Sequence, residues 1–209
     1  MPWTRQQMAE RLAREFGDGW IVNLGVGMPT LIADMPTGAR DITDHSENGV
    51  ICCGPVAAPG QEDLQLVNAS GQDVTLLPGA AIVHHADSFA LIRGGRMDVT
   101  VMGAYEAAAN GDFANWKVKG AKGGGIGGAM DLAASAKRVF LMLEHRTRDG
   151  APRLLERCTL PITARGAVTL VCTDLGLLAP TGEAFAVHDL ASGVSLDEAR
   201  TATACPLTE

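Results

Sequence analysis

An acidic side chain stands at the end of a predicted strand, where chemistry is commonly placed. Residues 42–45 have the pattern of a short strand, and Ser46-Glu47-Asn48-Gly49 follows them directly. Parallel α/β sheets hold ligands and reactive groups beyond the carboxyl ends of their strands. Asn48 and Gly49 tolerate positive φ and suit a tight turn that lifts Glu47 off the sheet. Glu47 is therefore a candidate acid, base or nucleophile, with a polar turn that has no chemistry as the alternative.

A glycine-rich segment could meet a developing negative charge. Residues 123–129 have the sequence GGGIGGA, and a helical pattern follows at 130–137. Glycine lets a backbone approach a ligand closely, so the amides of such a loop can stabilise an oxyanion. A helix that starts directly after the loop also favours negative charge at its N-terminus. The segment is therefore the best candidate for a group of oxyanion donors.

The same segment also satisfies a dinucleotide-binding pattern. Gly123, Gly125 and Gly128 match G-x-G-x-x-G, and the helix and strand patterns that follow end in Glu144. That fingerprint requires a strand immediately before its first glycine. Residues 115–122 do not have the pattern of a buried strand. The sequence therefore disfavours nicotinamide binding.

Histidines and cysteines suggest two further sites, and each has a simpler explanation. His84, His85 and Asp87 could hold a metal ion, but adjacent histidines on a strand point to opposite faces. We therefore expect them to form hydrogen bonds at a strand end, and no metal site. Cys52 and Cys53 could be reactive thiols, but small buried residues are the favoured interpretation.

Helix and strand patterns alternate along the chain and must position these residues. Thr4 can cap a first helix with Gln7, and Met8, Leu12 and Phe16 follow at helical spacing. A second, short helix is predicted to end at residue 35, and others lie at 130–137 and 196–201. Strands are predicted at 20–24, 42–45, 80–83, 99–102, 139–143, 168–173 and 187–190. Apolar strands between helices indicate an α/β fold, with a mostly parallel sheet and helices on both faces.

Composition excludes several classes of protein. The chain has 209 residues, 46% apolar and 20% charged, which fits one globular domain over residues 1–209. Its formal net charge of -7 disfavours binding to nucleic acid or to an anionic membrane. The charged N-terminus and the absence of a long apolar run predict neither a signal peptide nor a membrane helix. An odd number of cysteines, 5, predicts a reducing cytoplasm.

Blocks of sequence along nearly the whole chain carry a resemblance to a known family. They are residues 23–30 (NLGVGMPT), 45–49 (HSENG), 77–80 (LPGA), 84–95 (HHADSFALIRGG), 114–116 (ANW) and 127–132 (GGAMDL). In this order they resemble the beta subunits, also called B subunits, of family I 3-oxoacid CoA-transferases. That family includes the acetoacetate/succinyl-CoA and 3-oxoadipate enzymes. The resemblance extends from about residue 4 to residue 207.

The resemblance implies a fold, a reaction and a set of catalytic residues. It implies the CoA-transferase (NagB/RpiA-like) fold and ping-pong transfer of CoA between two carboxylic acids. Glu47 would be the nucleophile that carries CoA as a glutamyl thioester. Ser46, Asn48 and Gly49 would support it as hydrogen-bond donors or orienting groups. The amides at the acyl and oxyanion site would be those of Gly127, Gly128 and Ala129.

It also implies ligands and partners. CoA would be a substrate rather than a permanently bound cofactor. Gly25, Gly27, Lys117 and Lys119 would hold part of it. A solvated basic loop explains the two lysines equally well. The other ligands would be acyl-CoA esters and carboxylic acids. A separate CoA-transferase alpha subunit would complete a heterodimer or a heterotetramer.

Several positions depart from the family pattern. Asp44 stands where an apolar residue is usual, Cys52 where Gly or Ala is usual, Glu106 in place of glutamine, and Lys122 in place of proline. These differences leave the acyl group open. We expect a carboxylate at Glu106, near the acyl pocket, to disfavour a second carboxylate on the substrate. An acyl-CoA hydrolase or ring-opening enzyme, and a non-catalytic protein that binds CoA esters, are the alternative functions.

Overall fold

The computed structural model describes residues 1–36, 38, 40–120 and 122–209, which form helices around a large sheet and a small one. The helices are α1 (Arg5–Ala13), a 3₁₀ helix (Met28–Asp34), α2 (His85–Arg93), α3 (Ala129–Ser135) and α4 (Leu196–Ala202). The strands are β1 (Ile21–Leu24), β2 (Thr43–Ser46), β3 (Val50–Val56), β4 (Val74–Ile82), β5 (Val99–Gly103), β6 (Glu106–Ala108), β7 (Phe113–Ala114), β8 (Val139–Met142), β9 (Leu154–Leu155), β10 (Val168–Cys172), β11 (Gly176–Pro180), β12 (Phe185–Leu190) and β13 (Leu207–Thr208).

The large sheet is parallel at its centre and antiparallel at its flanks. Within the described part of the chain its strand order is β13-β12-β11-β10-β8-β5-β1-β2-β3-β4. Strands β10, β8, β5, β1 and β2 are parallel, so their carboxyl ends meet at one edge. Strands β3 and β4 extend the sheet beyond β2 as an antiparallel hairpin. A second, smaller sheet has the order β7-β6-β9.

Helices cover both faces of the large sheet, as the sequence predicts. On β8, Phe140 and Met142 belong to one buried cluster together with Met8 and Leu12 of α1. The alternate residue Leu141 belongs to a second cluster with residues of α2 and α3, among them Phe89, Ile92 and Leu132. Side chains alternate between the faces of a strand, so a strand packed on both faces must be apolar throughout.

The first helix has the local structure that its sequence dictates. The Thr4 hydroxyl accepts a hydrogen bond from the Gln7 N–H, and the Gln7 side chain accepts one from the Thr4 N–H. This capping box satisfies two backbone donors that a helix start otherwise leaves unpaired. Met8 and Leu12 are fully buried one helical turn apart, which confirms the predicted apolar face.

The prediction of a strand at His84 and His85 is wrong. His84 is the N-cap of α2, where its Nδ1 accepts the Ala86 N–H at 3.1 Å, and His85 is the first helical residue. The predicted strand at 80–83 overlaps the end of the longer β4. The sequence did not predict strands β3, β6, β7, β9, β11 and β13. β3 lacks clear alternation, since it contains Gly54 and Pro55 and its residue Cys52 has a left-handed φ of 54°.

In the part of the chain that the structure describes, no helix combines the length and the apolar character needed to cross a membrane.

Candidate active site

Glu47 lies in a tight turn at the carboxyl end of β2, as its sequence context predicts. The Gly49 N–H donates to the Ser46 carbonyl at 2.9 Å and closes the turn into β3. Gly49 has a φ of 118°, and a Cβ there would overlap the Val83 carbonyl. Only glycine fits both the backbone conformation and the space. The turn therefore fixes where the Glu47 side chain leaves the sheet.

A buried chain of polar groups holds this turn from below. It begins with the Thr100 hydroxyl, which donates to Asn23 Oδ1 at 3.1 Å. Asn23 Nδ2 lies 3.2 Å from His45 Nδ1 and donates to the His45 carbonyl at 3.0 Å. His45 Nε2 lies 3.0 Å from Ser88 Oγ, which donates to the Glu47 carbonyl at 2.8 Å. The chain thus links β5, β1, β2 and α2 to the backbone of Glu47.

The hydrogen bonds of this chain assign one tautomer to His45. Asn23 Nδ2 can only donate, so His45 Nδ1 is the acceptor and Nε2 carries the proton. Ser88 then accepts from Nε2–H and keeps its own hydrogen for the Glu47 carbonyl. Burial lowers the pKa of His45 to about 4, which keeps the ring neutral near pH 7. His45 is therefore a positioning residue in a fully satisfied network.

The carboxylate of Glu47 is half-buried, and opposing effects act on its acidity. Burial raises the pKa of Glu47 because desolvation disfavours the charged form, and the charge of His85 acts to lower it. The His85 ring packs on Phe89 with centroids 4.8 Å apart. The guanidinium of Arg93 pairs with Asp131 through two contacts of 2.9 Å.

The backbone of the glycine-rich loop lies directly against the Glu47 carboxylate. A Cβ added at Gly128 would stand 2.6 Å from Glu47 Oε2 and 2.8 Å from Phe89 Cζ. Gly127 has a φ of 52°, and α3 begins at Ala129 immediately after Gly128. The structure thus brings together Glu47, Gly127, Gly128 and Ala129, which the sequence predicts to form one site.

Glu47 and the loop separate two clefts. One has a volume of about 480 Å³ and is lined in part by Gly25, Tyr105, Asn115, Gly128 and Arg153. The other, also about 480 Å³, is lined by Glu47, Gly127, Gly128 and residues of α2 that include His85, Phe89 and Arg93. Glu47 therefore borders both clefts, together with Gly127 and Gly128.

The predicted support residues act on a neighbouring loop instead of on the carboxylate. The Ser46 hydroxyl accepts the Ala69 N–H at 2.8 Å, and Asn48 Nδ2 donates to the Val67 carbonyl at 2.7 Å. Neither side chain is a donor to Glu47 in this structure. Because Ala69 lines the first cleft, Ser46 and Asn48 shape the site indirectly by holding that loop.

The residues predicted to hold CoA divide between the cleft and its surroundings. Gly25 lines the first cleft, and its N–H donates to the Val101 carbonyl at 2.8 Å. Gly27 has a φ of 93° and precedes the 3₁₀ helix. Lys117 lies over the Trp116 ring at 5.9 Å, and Lys119 is exposed. The lysines are not among the lining residues, so their role in CoA binding stays a prediction.

The expected effect of Glu106 on the acyl pocket is not supported by its position. Its Oε2 accepts the N–H groups of Thr159 and Leu160 at 2.7 and 2.9 Å, and its Oε1 accepts the Thr159 hydroxyl at 2.6 Å. Glu106 does not line the cleft. Through these three hydrogen bonds the carboxylate anchors the 159–160 loop.

Asp44 is a buried carboxyl beneath the site. It faces a small cavity of about 20 Å³, and its Oδ1 has no hydrogen-bond partner among the described residues. Burial raises the pKa of Asp44 to about 7.

In the described ranges, no group of three His, Cys, Asp or Glu residues could hold a metal ion.

Sequence reasoning missed three residues of the candidate site. Asn23 and Ser88 belong to the buried network, and Arg153 lines the first cleft. A polar residue within the apolar strand 20–24 was a usable signal for Asn23, since a buried amide needs partners. No local pattern marks Arg153, because only the fold brings it to the cleft.

Comparisons with known proteins show the family to which the chain belongs. The family model described as Coenzyme A transferase matches residues 5–200. The B subunit of 3-oxoadipate CoA-transferase from Pseudomonas putida is 44% identical over 206 residues, covering 98% of this chain and 96% of that protein. The B subunit of succinyl-CoA:3-ketoacid coenzyme A transferase from Helicobacter pylori is 39% identical over 199 residues, covering 95% and 96%. The acyl-CoA transferase YdiF apoenzyme from Escherichia coli O157:H7 has a TM-score of 0.77 at 20% identity, covering 99% of this chain and 42% of that one.

Proposed function

The chain belongs to the coenzyme A transferase family, and we propose that it is the glutamate-bearing beta subunit of a 3-oxoacid CoA-transferase. It would move CoA from an acyl-CoA to a carboxylic acid, with Glu47 as the nucleophile. The observation that carries this proposal is the Glu47 carboxylate held against the Gly128 backbone, with a cleft on either side.

The reaction begins with two exchanges at carbonyl carbons. A Glu47 carboxylate oxygen attacks the thioester carbon of the acyl-CoA, the C–S bond breaks, and the thiolate leaves with the electron pair. The product is a mixed anhydride of the acyl group and Glu47. The thiolate then attacks the Glu47 carbonyl carbon, and the acyl group leaves as a free carboxylate. Glu47 now carries CoA as a thioester, and no proton has been gained or lost.

The acceptor acid reverses these two exchanges. Its carboxylate attacks the glutamyl thioester, releases the CoA thiolate and forms a second mixed anhydride. The thiolate attacks the new acyl carbon, which regenerates the Glu47 carboxylate and releases the product acyl-CoA. Covalent catalysis of this kind divides a difficult exchange between two acids into easier steps.

Two features of the site suit these steps. Each attack builds an oxyanion, and the amides of Gly127, Gly128 and Ala129 are the groups we propose to stabilise it. The nucleophile must also be ionised, and the charge of His85 opposes the effect of burial on the pKa of Glu47. The neutral His45 network then holds the Glu47 backbone in one place without adding charge of its own.

We propose that an alpha subunit completes the enzyme. The two bacterial relatives are named as B subunits and are covered over 96% of their length. The longer Escherichia coli transferase is covered over only 42% of its chain, which leaves room there for a second unit. CoA would be a substrate of this assembly and not a resident cofactor.

Initial-rate kinetics test the transferase against the hydrolase. The complex of this chain with its copurifying partner is assayed with acetoacetyl-CoA and varied succinate. Ping-pong transfer predicts parallel double-reciprocal lines and no release of free CoA without succinate. Intersecting lines would contradict the covalent route, and steady release of free CoA without acceptor would instead support a hydrolase.

A further inference from the structure

One cation in the Glu47 cleft lacks a hydrogen-bond partner among the described residues. The Nε atom of Arg153 is buried without a hydrogen bond, and no hydrogen bond or ion pair joins its guanidinium to any residue that the structure describes. A guanidinium has five N–H donors, and a buried donor left unpaired is costly. Such a group is therefore prepared for an anion that arrives from outside the chain.

The cleft offers Arg153 no anion of its own apart from the nucleophile. Among the described residues that line it, Glu47 and Arg153 are the ones that carry a charge. The nearby acid Glu144 is already paired with Arg5 at 2.6 Å. Its pKa is lowered first by the hydrogen bond from Arg5, and the charge of Arg153 contributes less. Glu106 is engaged by the 159–160 loop.

Arg153 and Glu47 reach the cleft from different strands of the sheet. Its N–H donates to the carbonyl of His145 at 2.9 Å, and His145 follows β8. Glu47 follows β2, and the order β8-β5-β1-β2 places three inter-strand steps between the two strands. At roughly 4.8 Å per step the strand ends lie about 14 Å apart. Side chains that extend into the cleft from both ends leave room for a short acyl chain between them.

We propose that Arg153 forms an anion subsite for the second carboxylate of a dicarboxylic acyl group, a statement that rests on the proposed function of Glu47. The acyl carbon of such a substrate meets Glu47, and its distal carboxylate pairs with the guanidinium. Arginine suits this task because its planar fork binds a carboxylate through two parallel hydrogen bonds. This subsite would make the enzyme prefer succinyl-type groups to monocarboxylic groups of equal length.

Equilibrium binding tests the subsite separately from catalysis. The complex carrying Glu47→Gln, which cannot form the glutamyl thioester, is titrated calorimetrically with succinyl-CoA and with butyryl-CoA. These esters have equal chain length and differ in the distal carboxylate. We expect succinyl-CoA to bind about 10- to 100-fold more tightly, which is the range for a charge-assisted pair. Adding Arg153→Gln should bring the ratio of the two dissociation constants close to one.

Two further variants keep the test decisive. Arg153→Lys retains the charge without the fork and should restore part of the preference. Arg157→Gln removes an exposed arginine that does not line the cleft, and should leave the ratio unchanged. Equal affinities in the Glu47→Gln complex, a ratio unaffected by Arg153→Gln, or no binding of succinyl-CoA would overturn the subsite. If the transferase proposal itself were wrong, the wild-type complex would form no covalent adduct on Glu47, whatever the ratio of the two dissociation constants.

Discussion

Replacing Gly128 by alanine should disable the site while leaving most of the fold intact. The new methyl carbon would stand 2.6 Å from Glu47 Oε2 and 2.8 and 3.1 Å from Phe89 ring atoms, whereas ordinary contact begins at 3.4 Å. Gly128 does not have a positive φ, so the backbone itself accepts alanine. The strain therefore falls on the carboxylate and the ring.

The size of the effect follows from that overlap. The carboxylate must move by about 0.8 Å, and a misplacement of about 1 Å at a reacting group can cost on the order of 100-fold in rate. We expect kcat to fall about 30- to 100-fold. The free energy of unfolding should fall by only about 1–2 kcal/mol, because a flexible side chain can yield.

The assay compares kcat for CoA transfer in wild type, Gly128→Ala and Gly125→Ala complexes, with thermal unfolding in parallel. Gly125 is the matched control for strain at the carboxylate, since it lies in the same loop and a Cβ there would meet nothing within 4 Å. Because Gly125 also lines the first cleft, KM is measured alongside kcat, and an obstructed cleft would raise KM in this variant. Its kcat should change less than about 3-fold. Unchanged kcat in Gly128→Ala, or equal losses in both variants, would refute the claim that the Gly128 backbone seats the carboxylate.

Other perturbations test the groups around Glu47 and the loops near it. Ser88→Ala leaves the Glu47 carbonyl and His45 Nε2 unpaired. The free energy of unfolding should therefore fall by about 1–3 kcal/mol, and kcat should fall more than KM changes. Kinetics that match wild type would contradict a positioning role for the His45–Ser88 network. Because the folded-state pKa of Asp44 is raised to about 7, the folded protein binds more protons than the unfolded chain between about pH 4 and 7, and stability falls as pH rises through that window. Asp44→Asn should abolish this pH dependence and raise the melting temperature at pH 8. Thermal scans of both proteins at pH 5 and pH 8 would detect the change. A lower melting temperature of the variant at pH 8 would contradict a buried, ionised Asp44 carboxyl. Glu106→Gln weakens the anchor of the 159–160 loop and should lower the free energy of unfolding by about 1–2 kcal/mol in denaturant titrations, whereas a changed preference between acetoacetyl-CoA and 3-oxoadipyl-CoA would return Glu106 to the acyl pocket.

Local sequence patterns predicted the elements whose signals are local. The capping box at Thr4 and the apolar strands around Val101 and Leu141 needed only neighbouring residues to be recognised. The tight turn at Glu47 followed from Asn48 and Gly49 in the same way. These signals were enough to place Glu47 at the carboxyl end of β2.

The remaining parts of the site depend on contacts between distant segments. Helix α2 was missed because residues 84–92 begin with two histidines and have little helical periodicity, although the His84 cap and its packing stabilise a helix there. Ser46 and Asn48 bind a loop more than 15 residues away, so their partners could not be inferred from the turn alone. Arg153 directly precedes β9, and its N–H donates to the carbonyl of His145 beyond β8. Only the assembled sheet determines this placement.

The most direct test of the central claim is to observe CoA on Glu47. The complex is incubated with acetoacetyl-CoA and examined by intact and peptide mass spectrometry. We expect a CoA adduct on the peptide that contains Glu47, absent in Glu47→Gln and discharged by succinate. An adduct on another residue, or transfer that proceeds fully in the Glu47→Gln complex, would contradict Glu47 as the group that carries CoA.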